Sequence, residues 1–347
     1  MSEYAVTQVR PDDPRAMASV DALLAREGIR RDNNLDYTCA IFDEEGAAIA
    51  TGSSFGSTLR CFAVSGDRQG EGLLNLIVTH LIQYQADQGR LRLFLYTKPD
   101  AARFFGDLGF YEIARVPDKL VFMENRRGGF AGYLDRLAAT RREGLSAAVV
   151  MNANPFTLGH QYLVERAAAG CDALHLFIVS EDLSLFPFAV RRRLVALGTA
   201  HLPNVILHDC GPYIISSATF PSYFLKDEND VIEGQARLDL AVFERIAGAL
   251  NIRQRWVGEE PTSRVTGLYN RIMAEALPRA GIALNVVPRR EAGGAPISAS
   301  TVRDCLKRGD AQALRALLPP TTLEYLASPE AEPVLRRIRQ AEDVAHY

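Results

Sequence analysis

Apolar residues change their rhythm near residue 128. Before it, short β-type runs lie between turn formers. After it, brief apolar runs alternate with stretches of helical spacing. In the first region Tyr37–Phe42, Ala48–Phe55 and Thr58–Val64 predict strands, the first two joined by a hairpin at Glu45-Gly46. A glycine-bearing turn leads to a helix over Leu73–Gln85, then a strand over Arg92–Thr97, a short helix over Ala101–Leu108 and a strand over Val121–Met123. The polar stretch Glu124 to Gly129 marks a boundary, which gives a first domain at 1–128, a linker at 129–145 with a connecting helix over Tyr133–Glu143, and a second domain at 146–347. There the pattern predicts strands at Ala147–Met151, Ala173–Val179, Asn204–His208, Arg255–Val257 and Ala283–Val287. Between them come helices from near His160, from near Phe188 and over Asn270–Ala280. That alternation implies an α/β fold with a parallel sheet covered on both faces and a ligand outside the carboxyl ends of its strands.

Composition narrows the function classes. A chain of 347 residues, 48% hydrophobic, buries ample core and suits two or three domains. A net charge of -3 and a pI near 6.1 supply no global basic field, which argues against nucleic acid as partner. No apolar run is long enough to span a bilayer, and Met1-Ser2-Glu3-Tyr4 lacks the pattern of a secretory signal, so a cytoplasmic protein with no membrane partner is expected. The five cysteines are scattered and odd in number, as for reduced structural thiols. The six histidines are too dispersed to predict a metal site of the protein's own; a divalent ion would arrive with a nucleotide.

Two segments carry candidate chemistry. Met151 to His160 runs from a strand through Thr157-Leu158-Gly159-His160 into a helix, where exposed N–H groups and the positive end of the helix dipole favour an anion. Gly159 permits close approach, and the His160 imidazole can donate to a phosphate oxygen. By itself this motif reads more readily as a histidine that merely caps a buried helix. Ile297-Ser298-Ala299-Ser300-Thr301-Val302-Arg303 again leads from loop to helix, with Thr301 and Asp304 spaced like a capping box and Gly309 as the stop. Its hydroxyls followed by an arginine suggest a second phosphate clamp.

The first region resembles the GNAT acetyltransferase superfamily on Arg68-Gln69-Gly70-Glu71-Gly72-Leu73-Leu74 and on Ala101 to Phe110. The resemblance implies an α+β domain in which Gly70 and Gly72 present N–H groups to the pyrophosphate of a coenzyme-A-like ligand. Two residues depart from the pattern: Asp67 would bring a carboxylate near that anion, and Phe105 stands where many members have a tyrosine able to act as general acid. The second region resembles the nucleotidyltransferase superfamily, with its Rossmann-like parallel sheet, and within it the citrate lyase ligase family. The match rests on Met151 to His160, Phe186 to Arg191, Ile214 to Lys226, Ala236 to Asp239, Val257 to Pro261 and Ile297 to Arg303, ending at Leu318 to Leu326. Thr262-Ser263-Arg264 departs from it, where a more apolar stretch is expected.

This resemblance implies an AMP-forming acid-thiol ligase. It would use ATP, with Mg²⁺, and acetate to acetylate the prosthetic-group thiol of the citrate lyase acyl carrier subunit, through an acetyl-adenylate. On that basis His160, Thr157 and Arg303 are the candidate catalytic residues. Asn154 and Gly159 shape the first clamp, and Ser298, Ser300 and Thr301 shape the second with Arg303, the cation for the leaving pyrophosphate. Arg191, Lys226 and Glu259 are further candidates for ligand contact, with a solvated surface role as the competing reading for each. Two other functions stay open on sequence: adenylyl transfer to a phosphopantetheine-like or mononucleotide substrate, and ligand binding without catalysis.

Overall fold

The computed structural model describes residues 4–180, 184–214, 220, 228–259 and 264–344. Contacts divide the chain into two units: 1–132 with 219–241, and 133–218 with 242–347. The sequence reading places 219–241 with the second unit, whereas its contacts group it with the first.

The first unit contains β1 (Thr7–Gln8), α1 (Pro14–Arg26), β2 (Tyr37–Phe42), β3 (Ala48–Phe55), β4 (Thr58–Val64), α2 (Leu73–Asp87), β5 (Phe94–Thr97), α3 (Ala102–Asp107), β6 (Tyr111–Val116) and β7 (Leu120–Glu124). The strands form one mixed sheet in the order β1-β2-β3-β4-β5-β7-β6. Burial on both faces follows from the period-two alternation. Tyr37, Cys39 and Ile41 join the core formed with Leu73, Ile77 and Leu81 of α2, while Ala40 joins Val20, Leu23 and Leu24 of α1 on the other face. β4 and β5 run parallel but pair only at Thr58–Phe94 and Leu59–Leu95. Beyond that pair a cavity of about 560 Å³ is lined by residues from the carboxyl ends of both strands.

α4 (Gly129–Ala138) begins four residues before the expected connecting helix. Its start is fixed by Glu124, a 2% exposed carboxylate that accepts from the Phe130 N–H at 2.5 Å and from the Arg92 guanidinium at 2.8 Å. A side chain at Gly129 would collide with that carboxylate, so Gly129 belongs to a packed helix start. α7 (Glu228–Leu250), which the sequence reading leaves unassigned, runs across the division between the units. In the first unit, Asp230 and Glu233 of this helix hold Lys119 of the β6–β7 turn at 3.3 and 2.7 Å.

The second unit contains β8 (Ser146–Met151), α5 (Leu158–Ala168), β9 (Ala173–Ile178), α6 (Phe188–Gly198), β10 (Val205–Asp209), β11 (Ile252–Gly258), α8 (Arg264–Ala276) and β12 (Ala283–Val287). A small hairpin, β13 (Glu291–Ala292) and β14 (Ala295–Pro296), precedes α9 (Ala299–Arg308), α10 (Ala311–Leu317), α11 (Pro320–Ala327) and α12 (Glu332–Gln340). The five strands from β8 to β12 are all parallel, in the order β10-β9-β8-β11-β12. Alternate residues Ala147, Val149 and Met151 join a core with α5, α6 and α12. The chain winds outward from β8 to β10, then returns to start again at β11. The switch point therefore lies between β8 and β11, where a crevice at the carboxyl ends is expected to receive a ligand.

Candidate functional site

A cavity of about 610 Å³ opens at that switch point, lined by the ends of β8 and β11, the start of α5, one side of α8 and the segment entering α9. The two sequence motifs meet there. The Asn154–Pro155 peptide is cis, and Ala153 takes a left-handed φ of 51°. Asn154, 2% exposed, accepts the Phe186 N–H through Oδ1 at 3.0 Å. A Cβ on Gly159 would lie 3.0 Å from the Ile297 carbonyl oxygen, so the glycine allows the first motif to pack directly on the second.

Thr157 and His160 orient one another as a capping box at the start of α5. The Thr157 hydroxyl accepts the His160 N–H at 3.3 Å, and the His160 Nδ1 accepts the Thr157 N–H at 3.1 Å. A backbone donor on Nδ1 requires that nitrogen to be unprotonated, which leaves the neutral ring's proton on Nε2. Burial, aided by the Arg289 and Arg303 cations, pushes the His160 pKa down to about 4, so the half-buried ring is neutral at pH 7. The ring lines the cavity with a fixed tautomer.

The second motif differs in detail from its sequence pattern. Ser298, not Thr301, caps α9, accepting the Thr301 N–H at 3.0 Å, and Gly309 ends the helix with φ 74°. Asp304 pairs with Arg308 instead of completing a box. Ser298 and Ser300 line the cavity with their hydroxyls 2.9 Å apart. Thr301 is exposed, does not line it, and turns its hydroxyl to Ser298 at 2.7 Å. Arg303 lines the cavity but is 3% exposed, donating from Nη1 to the Asn154 carbonyl at 2.6 Å and from Nε to the Val344 carbonyl at 2.5 Å. Burial draws its pKa down to about 10, still cationic at neutral pH. Arg303 thus ties the two motifs together.

Of the three weaker candidates, two are described, and neither lines the cavity. Arg191 is neither a solvated face nor part of the cavity lining. It is 0% exposed and donates to the Phe186, Asn152 and Val179 carbonyls and to Asn152 Oδ1, at 2.8 to 3.0 Å. Its neighbours Arg192 and Arg193 do form an exposed face, paired with Asp209 and Glu330. Glu259 is exposed and outside the lining, and its backbone carbonyl accepts from Arg289 Nε at 2.8 Å. Lys226 lies outside the described residues. Sequence reasoning missed Arg255, Arg289, Arg290, Tyr269 and Asn270, all of which line the cavity. The adjacent pair Arg289-Arg290, directly after a strand, was a readable signal. Tyr269 and Asn270 escaped because α8 begins six residues before the expected start.

The cavity of the first unit combines a glycine turn with an apolar wall. Gly70 and Gly72 both line it with positive φ, 91° and 76°, and Gly72 is the N-cap of α2. Asp67 does not point a carboxylate into it. The Ser65 hydroxyl donates to Asp67 at 2.5 Å and Arg68 lies beside it; these contacts, the Ser65 bond foremost, lower its pKa. Phe105 is 3% exposed and packs on Phe62 with ring centroids 5.1 Å apart, an apolar wall where a proton donor would be needed for acetyl transfer.

Comparisons with known proteins agree with the second-unit geometry. Residues 146–326 match the citrate lyase ligase C-terminal domain. The chain is 41% identical to the [citrate [pro-3S]-lyase] ligase of Klebsiella pneumoniae, over 92% of this chain and 94% of that one. It is 37% identical to the enzyme of the same name from Escherichia coli K12, over 92% and 93% respectively. A solved acetyltransferase of the GNAT family from Staphylococcus aureus Mu50 is 11% identical, covering 35% of this chain and 99% of that one with a TM-score of 0.30. Together with a family-model match that contains both motifs of the switch-point cavity, the near full-length identity establishes that the chain belongs to the citrate lyase ligase family.

Proposed function

We propose that the protein uses ATP and acetate to acetylate the prosthetic-group thiol of the citrate lyase acyl carrier in the cytoplasm, releasing AMP and pyrophosphate. An acetate oxygen attacks the α-phosphorus as the bond to the bridging oxygen of pyrophosphate breaks. The carrier thiolate then attacks the acetyl carbonyl and AMP departs. Both steps move negative charge among phosphate oxygens, so positioned donors serve better than a protein nucleophile. The observation that carries this reading is the capping box in which Thr157 occupies Nδ1 of His160, a neutral ring that lines the cavity and keeps its proton on Nε2. Its role is to donate to the α-phosphate as charge develops there. Gly159 and the α5 N-terminus cradle the phosphates, Ser298 and Ser300 bind from the facing arm, and Arg303 holds the two arms in register while adding positive charge.

A divalent ion enters as the ATP complex. No described lining residue of this cavity is an aspartate or glutamate, and no described cluster of three His, Cys, Asp or Glu side chains is placed to hold a metal. In the first unit, the glycine turn and apolar wall suit the polar and apolar parts of a coenzyme-A-like group, bound without acetyl transfer. Among the described residues no helix is long and apolar enough to cross a membrane.

The decisive assay supplies the protein with ATP, Mg²⁺, acetate and deacetylated citrate lyase. Restored lyase activity with AMP release that depends on both acetate and carrier is the expected result. Pyrophosphate release with a stable adenylylated product would instead assign the same cavity to adenylyl transfer.

A further inference from the structure

The charge of the switch-point cavity is one-sided. Its described lining includes four arginines, Arg255, Arg289, Arg290 and Arg303, and no carboxylate side chain. Three of them belong to the segment from the end of β12 into α9, beside the hydroxyls assigned to phosphate. Arg255 does not. It lies within β11, paired with Ala148 of β8 on one side and Leu284 of β12 on the other. Alternation places Arg255 and Val257 on one face of the sheet, with Arg255 about 7 Å below Val257 on the strand. Arg255 is 6% exposed, and its guanidinium lies 4.3 Å from the centre of the Phe243 ring. Val150, Val257 and the 2% exposed Met273 line the same cavity. A cation is thus set into the sheet floor, on a different element from the phosphate arm and with an apolar residue beside it on its strand.

We propose that Arg255 receives the carboxylate of the acid substrate, with Met273 and Val150 bounding the room for its alkyl group. The proposal rests on the acid-thiol ligase reading above and names the residue that would select the acid. That reaction brings a carboxylate against the α-phosphorus of a polyanion, and like charges side by side repel unless each has its own counter-charge. The phosphate arm serves one anion and Arg255 the other. A planar guanidinium fork also fixes a carboxylate in two-point geometry, which aims one oxygen. Arg255 makes and breaks no bond and keeps its protons throughout.

Steady-state AMP release by the full-length protein, with deacetylated carrier present and acetate or ATP varied in turn, tests this. Arg255→Gln is expected to raise the KM for acetate by about 10–100-fold while the KM for ATP stays within about twofold, as for loss of a charge-assisted contact to one substrate only. Arg255→Lys should recover part of that loss. Met273→Ala should shift kcat/KM toward butanoate over acetate by about tenfold, in line with the discrimination available from a few methylenes. An unchanged acetate KM in Arg255→Gln, or an equal rise in the KM for ATP, overturns the assignment. If Arg255→Gln does not fold, an unchanged acetate KM in Arg255→Lys together with unchanged acid preference in Met273→Ala overturns it equally. A wild-type protein that releases no acetate-dependent AMP overturns the ligase reading and this assignment with it; active wild type with unaffected variants overturns this assignment alone.

Discussion

Both units end a strand, turn through glycine and enter a helix at the mouth of a cavity, yet they offer different chemistry. In the first, Gly70 and Gly72 leave open space around the start of α2, and the wall behind them is Phe105 and Phe62. In the second, Thr157 and His160 lock each other, Gly159 abuts the Ile297 carbonyl, and Arg303 and Thr322 reach in from the C-terminal helices to the Asn154 and Phe156 carbonyls. A helix start gives an anion a generic welcome. Catalysis needs side chains whose donors cannot turn away, and that requires bracing. The first unit has the welcome; the second has the bracing as well.

The sharpest way to break this contrast is His160→Ala. Loss of a preorganised donor should lower kcat by about 10²–10³, equivalent to roughly 2.7–4 kcal/mol, with the circular dichroism spectrum preserved. Wild-type turnover in that variant would reduce the second unit to the generic case. Next in size is Arg191→Met, which probes the bracing. It strands acceptors on Asn152, Val179 and Phe186 that Arg191 now satisfies, and should cost roughly 2–3 kcal/mol, seen as a Tm lower by roughly 5–10 °C. A melting point equal to wild type would mean that the loop holds its shape unaided.

Acid should separate the units as well. His175 and His208 face each other on β9 and β10, with Nδ1 and Nε2 2.9 Å apart, both buried. Burial pushes both pKa values down to about 4, assisted by the Arg142 cation at His175 and by His175 itself at His208, against a slight opposing pull from Asp209. The unfolded rings take up protons near pH 6.5, so the unfolded chain binds more protons between about pH 6.5 and 4. The stability contributed by the neutral pair is therefore complete above about pH 6.5 and lost as the pH falls toward 4, by up to about 3 kcal/mol for each histidine. In the first unit the half-buried His80 is also shifted down by burial, without a second histidine to repel. Trp256 on β11 is the single tryptophan, so its emission during an acid titration reports on the second unit. A urea midpoint followed by that emission that is the same at pH 7 and pH 4.5 would refute the histidine account.

How much of this was legible in the sequence depends on how far apart the interacting residues lie. The strands β2 to β4, the switch from period two to alternating elements, and both loop-to-helix motifs were readable because their signals are local. The use of Arg303 was not, since its acceptor on Asn154 lies 149 residues away. Arg191 was misread because a run of three arginines looks like solvent-facing charge, whereas the helix turns one of the three fully inward. α1 has a start that is legible locally, Asp13-Pro14, where the Asp13 carboxylate accepts the Ala16 N–H at 3.0 Å. Arg255 had no local signal, because a charged residue inside an apolar strand acquires meaning only when the sheet order places it beneath a cavity.

The smallest effect on turnover should come from Gly70→Asp, and it tests the contrast from the other side. A Cβ at Gly70 meets nothing within 4 Å, so the substitution adds charge without collision, although a φ of 91° strains any side-chain-bearing residue. A carboxylate at the mouth of the glycine turn should weaken coenzyme A binding by about tenfold in calorimetry, through like-charge repulsion near the helix start. Acetate-dependent AMP release should stay within about twofold of wild type, because His160, Ser298 and Arg303 all belong to the second unit. Failure of the wild type to bind coenzyme A would remove the ligand from the first unit while leaving the ligase chemistry intact. If AMP release instead fell in step with coenzyme A affinity, the first unit would be part of the catalytic cycle, and the line between a welcoming helix start and a braced one would no longer separate the two functions.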